Sequence, residues 1–139
     1  MEHTHTFAMI KPDAVRNGHI GAIIAAIEKA EFLIKAMRMT QLDNADAASF
    51  YKVHAHRPFY GECCAFIASG PVVVMALEKL NAVVDFRDAI GATDPTQAAS
   101  GTIREMFGAS IECNAIHGSD SDENAAIELS FFFTGQELL

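Results

Sequence analysis

Apolar residues fall along this chain in two patterns, unbroken runs and runs at helical spacing. Residues 7–10, Phe-Ala-Met-Ile, run without a polar break into Lys11-Pro12-Asp13, as a buried central strand running into a turn does. Ile20, Ile23, Ile24 and Ile27 then recur at i, i+3, i+4 and i+7, one buried face of a helix. Residues 33–42 alternate imperfectly and predict a strand. Asp43 or Asn44 is placed to cap a helix in which Ala47, Phe50, Tyr51 and His54 share a face. Pro58 suits the first turn of the next helix, and Gly70-Pro71 terminates it. Residues 72–77 are wholly apolar and rich in valine, a buried strand.

The second half repeats the alternation. Asn81 is placed to cap a helix carrying Val83, Phe86 and Ile90, which Gly91 ends. An irregular loop over 92–100 contains Asp94-Pro95, and residues 101–107 predict a short helix with Thr102 at its cap. Residues 115–116 predict a short strand. Ser119, Asp120 or Ser121 caps a last helix reaching about Phe133. Two helices lie between some of the strands, so the class is α+β, with helices packed on a small sheet.

Composition narrows the field. With 139 residues, half of them apolar and a fifth charged, one domain can bury a sizeable core without metal or disulfide staples. We expect that domain to span 1–139, with a flexible N-terminus over 1–5 and a tail over 134–139. The longest apolar runs, 20–27 and 71–77, are too short to span a bilayer. Met1-Glu2-His3-Thr4-His5 lacks the basic-then-apolar pattern of a signal peptide. Cys63, Cys64 and Cys113 match neither a disulfide framework nor a zinc spacing, and reduced thiols in the cytoplasm are the simplest expectation. A net charge of −8 argues against nucleic acid as the main ligand. It leaves room for a small phosphorylated ligand.

The chemistry concentrates in Asn114-Ala115-Ile116-His117-Gly118-Ser119-Asp120-Ser121 and in Glu128 on the following helix. A histidine closing an apolar segment serves either as a hydrogen-bonded structural residue or as a nucleophile that accepts a phosphoryl group. Lys11, at the end of a buried strand, is either a solvated strand end or a rigidly held cation for phosphate. Arg87 sits beside Phe86 at the core boundary, where an arginine either snorkels or reaches a ligand. Thr93 and Arg104 flank the irregular loop, whose length points to function. Neither G-x-x-x-x-G-K-[ST] nor G-x-G-x-x-G occurs. Phosphates would therefore be held by the side chains of Lys11, Arg87, Arg104 and Thr93, the arginines offering planar forks. Phe59 is either a core residue or a platform for a base. The histidine pairs 3/5 and 54/56 lack carboxylate or thiol companions at ligand spacing.

Five collinear blocks carry a resemblance: 6–15 (Thr-Phe-Ala-Met-Ile-Lys-Pro-Asp-Ala-Val), Ser69-Gly70-Pro71-Val72-Val73, Gly91-Ala92-Thr93-Asp94-Pro95, Gly101-Thr102-Ile103-Arg104 and 114–120 (Asn-Ala-Ile-His-Gly-Ser-Asp). In order and spacing, from about Thr6 to Phe133, the chain resembles nucleoside diphosphate kinases. The resemblance implies a ferredoxin-like sandwich with a four-stranded antiparallel sheet. It also implies ping-pong transfer of the γ-phosphoryl group from a nucleoside triphosphate to a diphosphate. His117 would be the phosphohistidine carrier through Nδ1, with Glu128 and Ser119 orienting its ring. Lys11, Tyr51, Arg87, Thr93, Arg104 and Asn114 match the phosphate and ribose contacts, and Phe59 the aromatic under the base. Mg²⁺ would arrive on the nucleotide phosphates, and the family implies a homo-oligomer, tetramer or hexamer.

The chain departs from the commonest family pattern at Ala14, where glycine is frequent, and at Ser100, where proline often precedes Gly101. Glu105-Met106 also follow Arg104 where smaller or acidic residues are usual. None of these replaces a matched polar residue, and the tail from Thr134 has no clear counterpart. Two rival classes remain at this level: a histidine phosphocarrier fed by a protein, and a non-catalytic ferredoxin-like binding module. The first does not need Lys11, Phe59, Arg87 and Arg104 together, and the second does not need a nucleophile.

Overall fold

The computed structural model describes residues 4–52, 55–56 and 60–138. Among them, β1 (His5–Ile10), β2 (Leu33–Thr40), β3 (Val72–Glu78) and β4 (Ile116–Gly118) form one sheet in the order β2-β3-β1-β4. All three pairings are antiparallel. The helices are α1 (Pro12–Arg16), α2 (Ile20–Lys29), α3 (Asn44–Phe50), α4 (Tyr60–Ile67), α5 (Ala82–Ile90), α6 (Ile103–Phe107) and α7 (Asp122–Phe132). This is the ferredoxin-like α+β sandwich expected from the sequence.

The unbroken apolar runs are the two central strands, which pack on both faces. Ala8 and Ile10 of β1, with Val73, Met75 and Leu77 of β3, meet Ile23 and Ile27 of α2 and Phe86 and Ile90 of α5. On the opposite face, Phe7, Met9, Val74 and Ala76 meet Phe50 of α3, Ile67 of α4 and Leu129 of α7. Alternation along a strand sends successive side chains to opposite faces, so continuous hydrophobicity reports two cores. β2 is an edge strand with exposed Leu33, Met37 and Met39. Its register shifts between Ile34 and Ala36. The extra residue flips the phase of the alternation, which is why that strand reads imperfectly in the sequence.

Several boundaries differ from expectation. Residues 12–16 form a short helix, because Pro12 at its first position supplies a helical φ and needs no amide partner. Asp43 caps α3 in a reciprocal capping box with Asp46, but that helix stops at Phe50, so Tyr51 is its C-cap. His54 and Pro58 lie outside the described residues. Asn81 and Thr102 hold the N-cap positions of α5 and α6 without side-chain caps. Asn81 is left-handed (φ 56°), and Thr102 donates to the Ala99 carbonyl instead. Pro95–Gln97 forms a single 3-10 turn within the irregular loop, with Asp94 at its cap. Of the three candidates, Ser121 caps the last helix, which ends at Phe132. β1 begins at His5, inside the expected flexible terminus, and the ring of His5 lies 3.1 Å from the Glu78 carboxylate. In the tail, Gln136–Leu138 form a 3-10 turn, and Arg38 of β2 pairs with Glu137 at 3.5 Å.

Candidate active site

β4 is expected at 115–116 but runs from Ile116 to Gly118, because Ala115 leaves the extended region. Its φ is 75°, and the Ile116 amide donates back to the Asn114 carbonyl at 2.9 Å. An i to i+2 bond around a residue of positive φ is a γ-turn of the strained kind. The tight reversal delivers Asn114 to one side and places His117 opposite Met9 on β1. Gly118 follows because a Cβ there would stand 2.9 Å from the Phe86 ring.

The His117 ring is packed by Phe7, Phe50 and Tyr51, with centroids 5.5–6.0 Å away. Its Nε2 lies 2.9 Å from Oε1 of Glu128, and the Ser119 hydroxyl donates to that same oxygen at 2.7 Å. Glu128 and Ser119 are buried, so the carboxylate approaches from within the fold. With the ring proton held at Nε2, the lone pair of the neutral imidazole sits on Nδ1.

Beside the histidine opens a cavity of about 660 Å³. Lys11, Tyr51, Arg87, Thr93, Arg104, Asn114, His117 and Glu128 all line it. Ser119 stands behind Glu128. Phe59 lies outside the described residues. Lys11 Nζ donates to the Glu112 carbonyl at 2.9 Å and to Asn114 Oδ1 at 2.8 Å, and it rides 5.3 Å over the Phe66 ring. Asn114 in turn donates to the Thr93 carbonyl at 3.0 Å, tying the irregular loop to the γ-turn. Arg104 is buried and donates to the carbonyls of Gly91 and Ile116. Its Nε is buried without a protein partner among the described residues. Arg87, expected near the core boundary, is exposed on the cavity wall.

Electrostatics in the cavity follow from burial and from like charges placed close together. Burial lowers Lys11 to about 8; Asp13 opposes that shift and the Arg104 charge adds to it. Burial and the charge of Arg87 lower Arg104 to about 10, which leaves it a cation at neutral pH. Burial, reinforced by Cys63 and Glu128, holds the Tyr51 phenol above its usual range, so it remains an O–H donor.

Sequence reading missed another part of the cavity lining, Tyr60, Cys63 and Phe66 of α4 with Ile111 and Glu112. Ile111 is 61% exposed. An exposed isoleucine in a polar turn was the one available signal. Asp13, noted only as part of a turn, is buried and accepts from the Ala115 amide at 3.1 Å.

An antiparallel ferredoxin-like sheet with a carboxylate-held histidine beside a cationic cavity defines a protein built to handle a phosphorylated small molecule. Comparison with known proteins makes that class specific. Residues 4–138 match the family described as "Nucleoside diphosphate kinase". The nucleoside diphosphate kinase of Flavobacterium psychrophilum is 60% identical over 137 residues, covering 99% of each chain. That of Chlamydia felis is 56% identical over 134 residues, covering 96% of this chain and 95% of its own. Among solved structures, the Aquifex aeolicus nucleoside diphosphate kinase superposes with a TM-score of 0.95 at 40% identity, covering 97% of this chain and 98% of that one. The Halobacterium salinarum enzyme, solved in complex with CDP, gives 0.91 at 36% identity, covering 97% and 90%. The chain belongs to the nucleoside diphosphate kinase family. Its activity is transfer of the terminal phosphoryl group of a nucleoside triphosphate to a nucleoside diphosphate.

Proposed function

We propose that His117 is the nucleophile and phosphoryl carrier of this exchange, and that residues 1–139 form a single kinase domain. The observation that carries the reading is the Glu128 contact at Nε2, which leaves Nδ1 basic beside the cavity. Nδ1 attacks the terminal phosphorus, the bond to the diphosphate oxygen breaks in line, and the first nucleoside diphosphate leaves. A second diphosphate then takes the phosphoryl group from Nδ1 by the reverse displacement. The imidazolium character that develops on the ring is balanced by Glu128, itself held by Ser119.

Each transfer spreads negative charge over the equatorial oxygens of the phosphoryl group, which calls for fixed positive groups rather than further covalent help. In this reading Lys11, Arg87 and Arg104 supply them. Thr93, Tyr51 and Asn114 offer hydroxyl and amide contacts to phosphate and ribose, and Phe59 stacks on the base. A phosphotransferase of this kind generally uses a divalent metal. Among the described residues no three His, Cys, Asp or Glu side chains converge as a metal cage, so Mg²⁺ would take its ligands mainly from nucleotide phosphates and water. Bound there, Mg²⁺ would supply further charge neutralisation.

We further infer a homo-oligomer, tetramer or hexamer, in keeping with the exposed apolar side chains on the edge strand β2. A cytoplasmic setting is supported by the free thiols of Cys63, Cys64 and Cys113. No helix among the described residues is long and apolar enough to cross a membrane.

Incubation with γ-labelled ATP and Mg²⁺ tests the mechanism. The expected label is acid-labile, base-stable, located on His117, and chased onto added diphosphate. Label elsewhere, or turnover without labelled protein, overturns it.

A further inference from the structure

We propose that Asp13 is a positioning residue of the phosphoryl-transfer site: its buried carboxylate clamps the strained turn at Ala115 and sets a negative charge two residues from Lys11. The inference rests on the reading that Lys11 meets phosphate.

Asp13 is 7% exposed, and a buried carboxylate survives only with partners. One oxygen accepts from the Ala115 amide at 3.1 Å, while the other is buried without a hydrogen-bond partner among the described residues. Two residues back, the Lys11 amide donates to the Ala115 carbonyl at 2.8 Å. Ala115 is thus gripped on both sides of its α-carbon by the Lys11-Pro12-Asp13 segment, and it is the residue forced to φ 75°. A non-glycine residue persists there only when its surroundings over-determine it. That turn sets where Asn114 and His117 stand. Asn114 also receives the Lys11 ammonium, which closes a loop of contacts from Asp13 through Ala115 and Asn114 to Lys11.

The charge of Asp13 has a separate effect. Lys11 is flanked by Arg104 of α6, by Cys63 of α4, and by Cys113 and Glu112 of the preceding turn. Burial and Arg104 favour the neutral amine, and Asp13 is the largest effect opposing them. Removing that charge moves the loss of the ammonium toward lower pH. Nucleotide phosphates replace the lost negative charge once bound, so the effect falls on the free enzyme.

Asp13→Asn keeps an oxygen for the Ala115 amide and removes only the charge. In it, the alkaline limb of kcat/KM and the Lys11 side-chain titration read by NMR should both move about one pH unit toward acid. At pH 8–9 the loss should appear in KM, with kcat largely retained at saturating nucleotide. If Lys11 titrates as in the parent while the unfolding midpoint falls, Asp13 is structural only and the proposal is overturned. Undiminished kcat/KM at pH 7 in Lys11→Ala would instead overturn the assignment of Lys11 to phosphate, and with it the catalytic use of Asp13. The NMR titration would still test the pairing of the two side chains.

Discussion

At the scale of single residues, the site sets His117, the proposed nucleophile, beside cations that the fold holds partly buried and close together at a cost. His117→Ala should lower turnover by at least about three orders of magnitude, because no neighbouring group replaces the covalent carrier. Coupled spectrophotometric assays on a preparation free of host kinase read this directly, and near-normal exchange would exclude the carrier role. Arg104→Ala should reduce kcat/KM by roughly 10²–10³, the scale for losing one preorganised charge donor. A rate within a few-fold of the parent would mean that phosphate binds away from Arg104. Lys11 yields a prediction of opposite signs for activity and stability. Its value is lowered to about 8 in the fold, so between there and its ordinary value the unfolded chain binds more protons. The contribution of Lys11 to stability therefore rises with pH across that window, while kcat/KM falls as the ammonium is lost. Relative to Lys11→Met, which keeps the apolar stem, the parent should gain stability between pH 7 and pH 10. A constant difference in their unfolding midpoints would contradict the buried-cation reading.

At the scale of elements, legibility followed how much of each signal was local. The helical spacing of Ile20 to Ile27 and the unbroken runs at 7–10 and 72–77 report burial directly, and those elements stand where the pattern puts them. β2 read poorly because its bulge changes phase, and the γ-turn at Ala115 could not be read because alanine carries no sign of positive φ. What holds Ala115 there is Asp13, 102 positions away in the chain. The site was more legible than the turn that builds it, since its groups are polar in segments where packing requires none. The rest of the lining was missed because Cys63, Phe66 and Ile111 resemble ordinary packing residues. Gly118 shows how an element constrains the site, since it lets Phe86 of α5 press against β4. Gly118→Ala should destabilise the fold by about 1–3 kcal/mol, the usual range for overpacking. Denaturant melts check this, and an unchanged midpoint would mean that α5 shifts freely.

At the scale of the whole molecule, a chain of net charge −8 gathers Lys11, Arg87 and Arg104 around one cavity, where the proposed function has them meet the nucleotide phosphates. Surrounding acidity repels the ligand at a distance, while the cavity attracts it at contact, where burial weakens screening. Burial is the main reason Lys11 and Arg104 are lowered in the empty site, and repulsion adds to it, from Arg104 on Lys11 and from Arg87 on Arg104. A bound diphosphate relieves that repulsion in the folded state alone, so nucleotide binding and folding are linked. A nucleoside diphosphate at 100 times its Kd should add about 2.7 kcal/mol to stability. For a domain of this size that corresponds to a rise in Tm of about 5–10 °C. Protein concentration must be fixed, because self-association moves Tm as well. Arg104→Ala should lose most of the shift at the same nucleotide concentration, whereas His117→Ala should keep it, since the histidine acts in transfer rather than in holding phosphate. Scanning fluorimetry with and without diphosphate on the three proteins separates these roles. Equal shifts in the parent and Arg104→Ala would place the phosphates elsewhere, and loss of the shift in His117→Ala would make the histidine a binding residue.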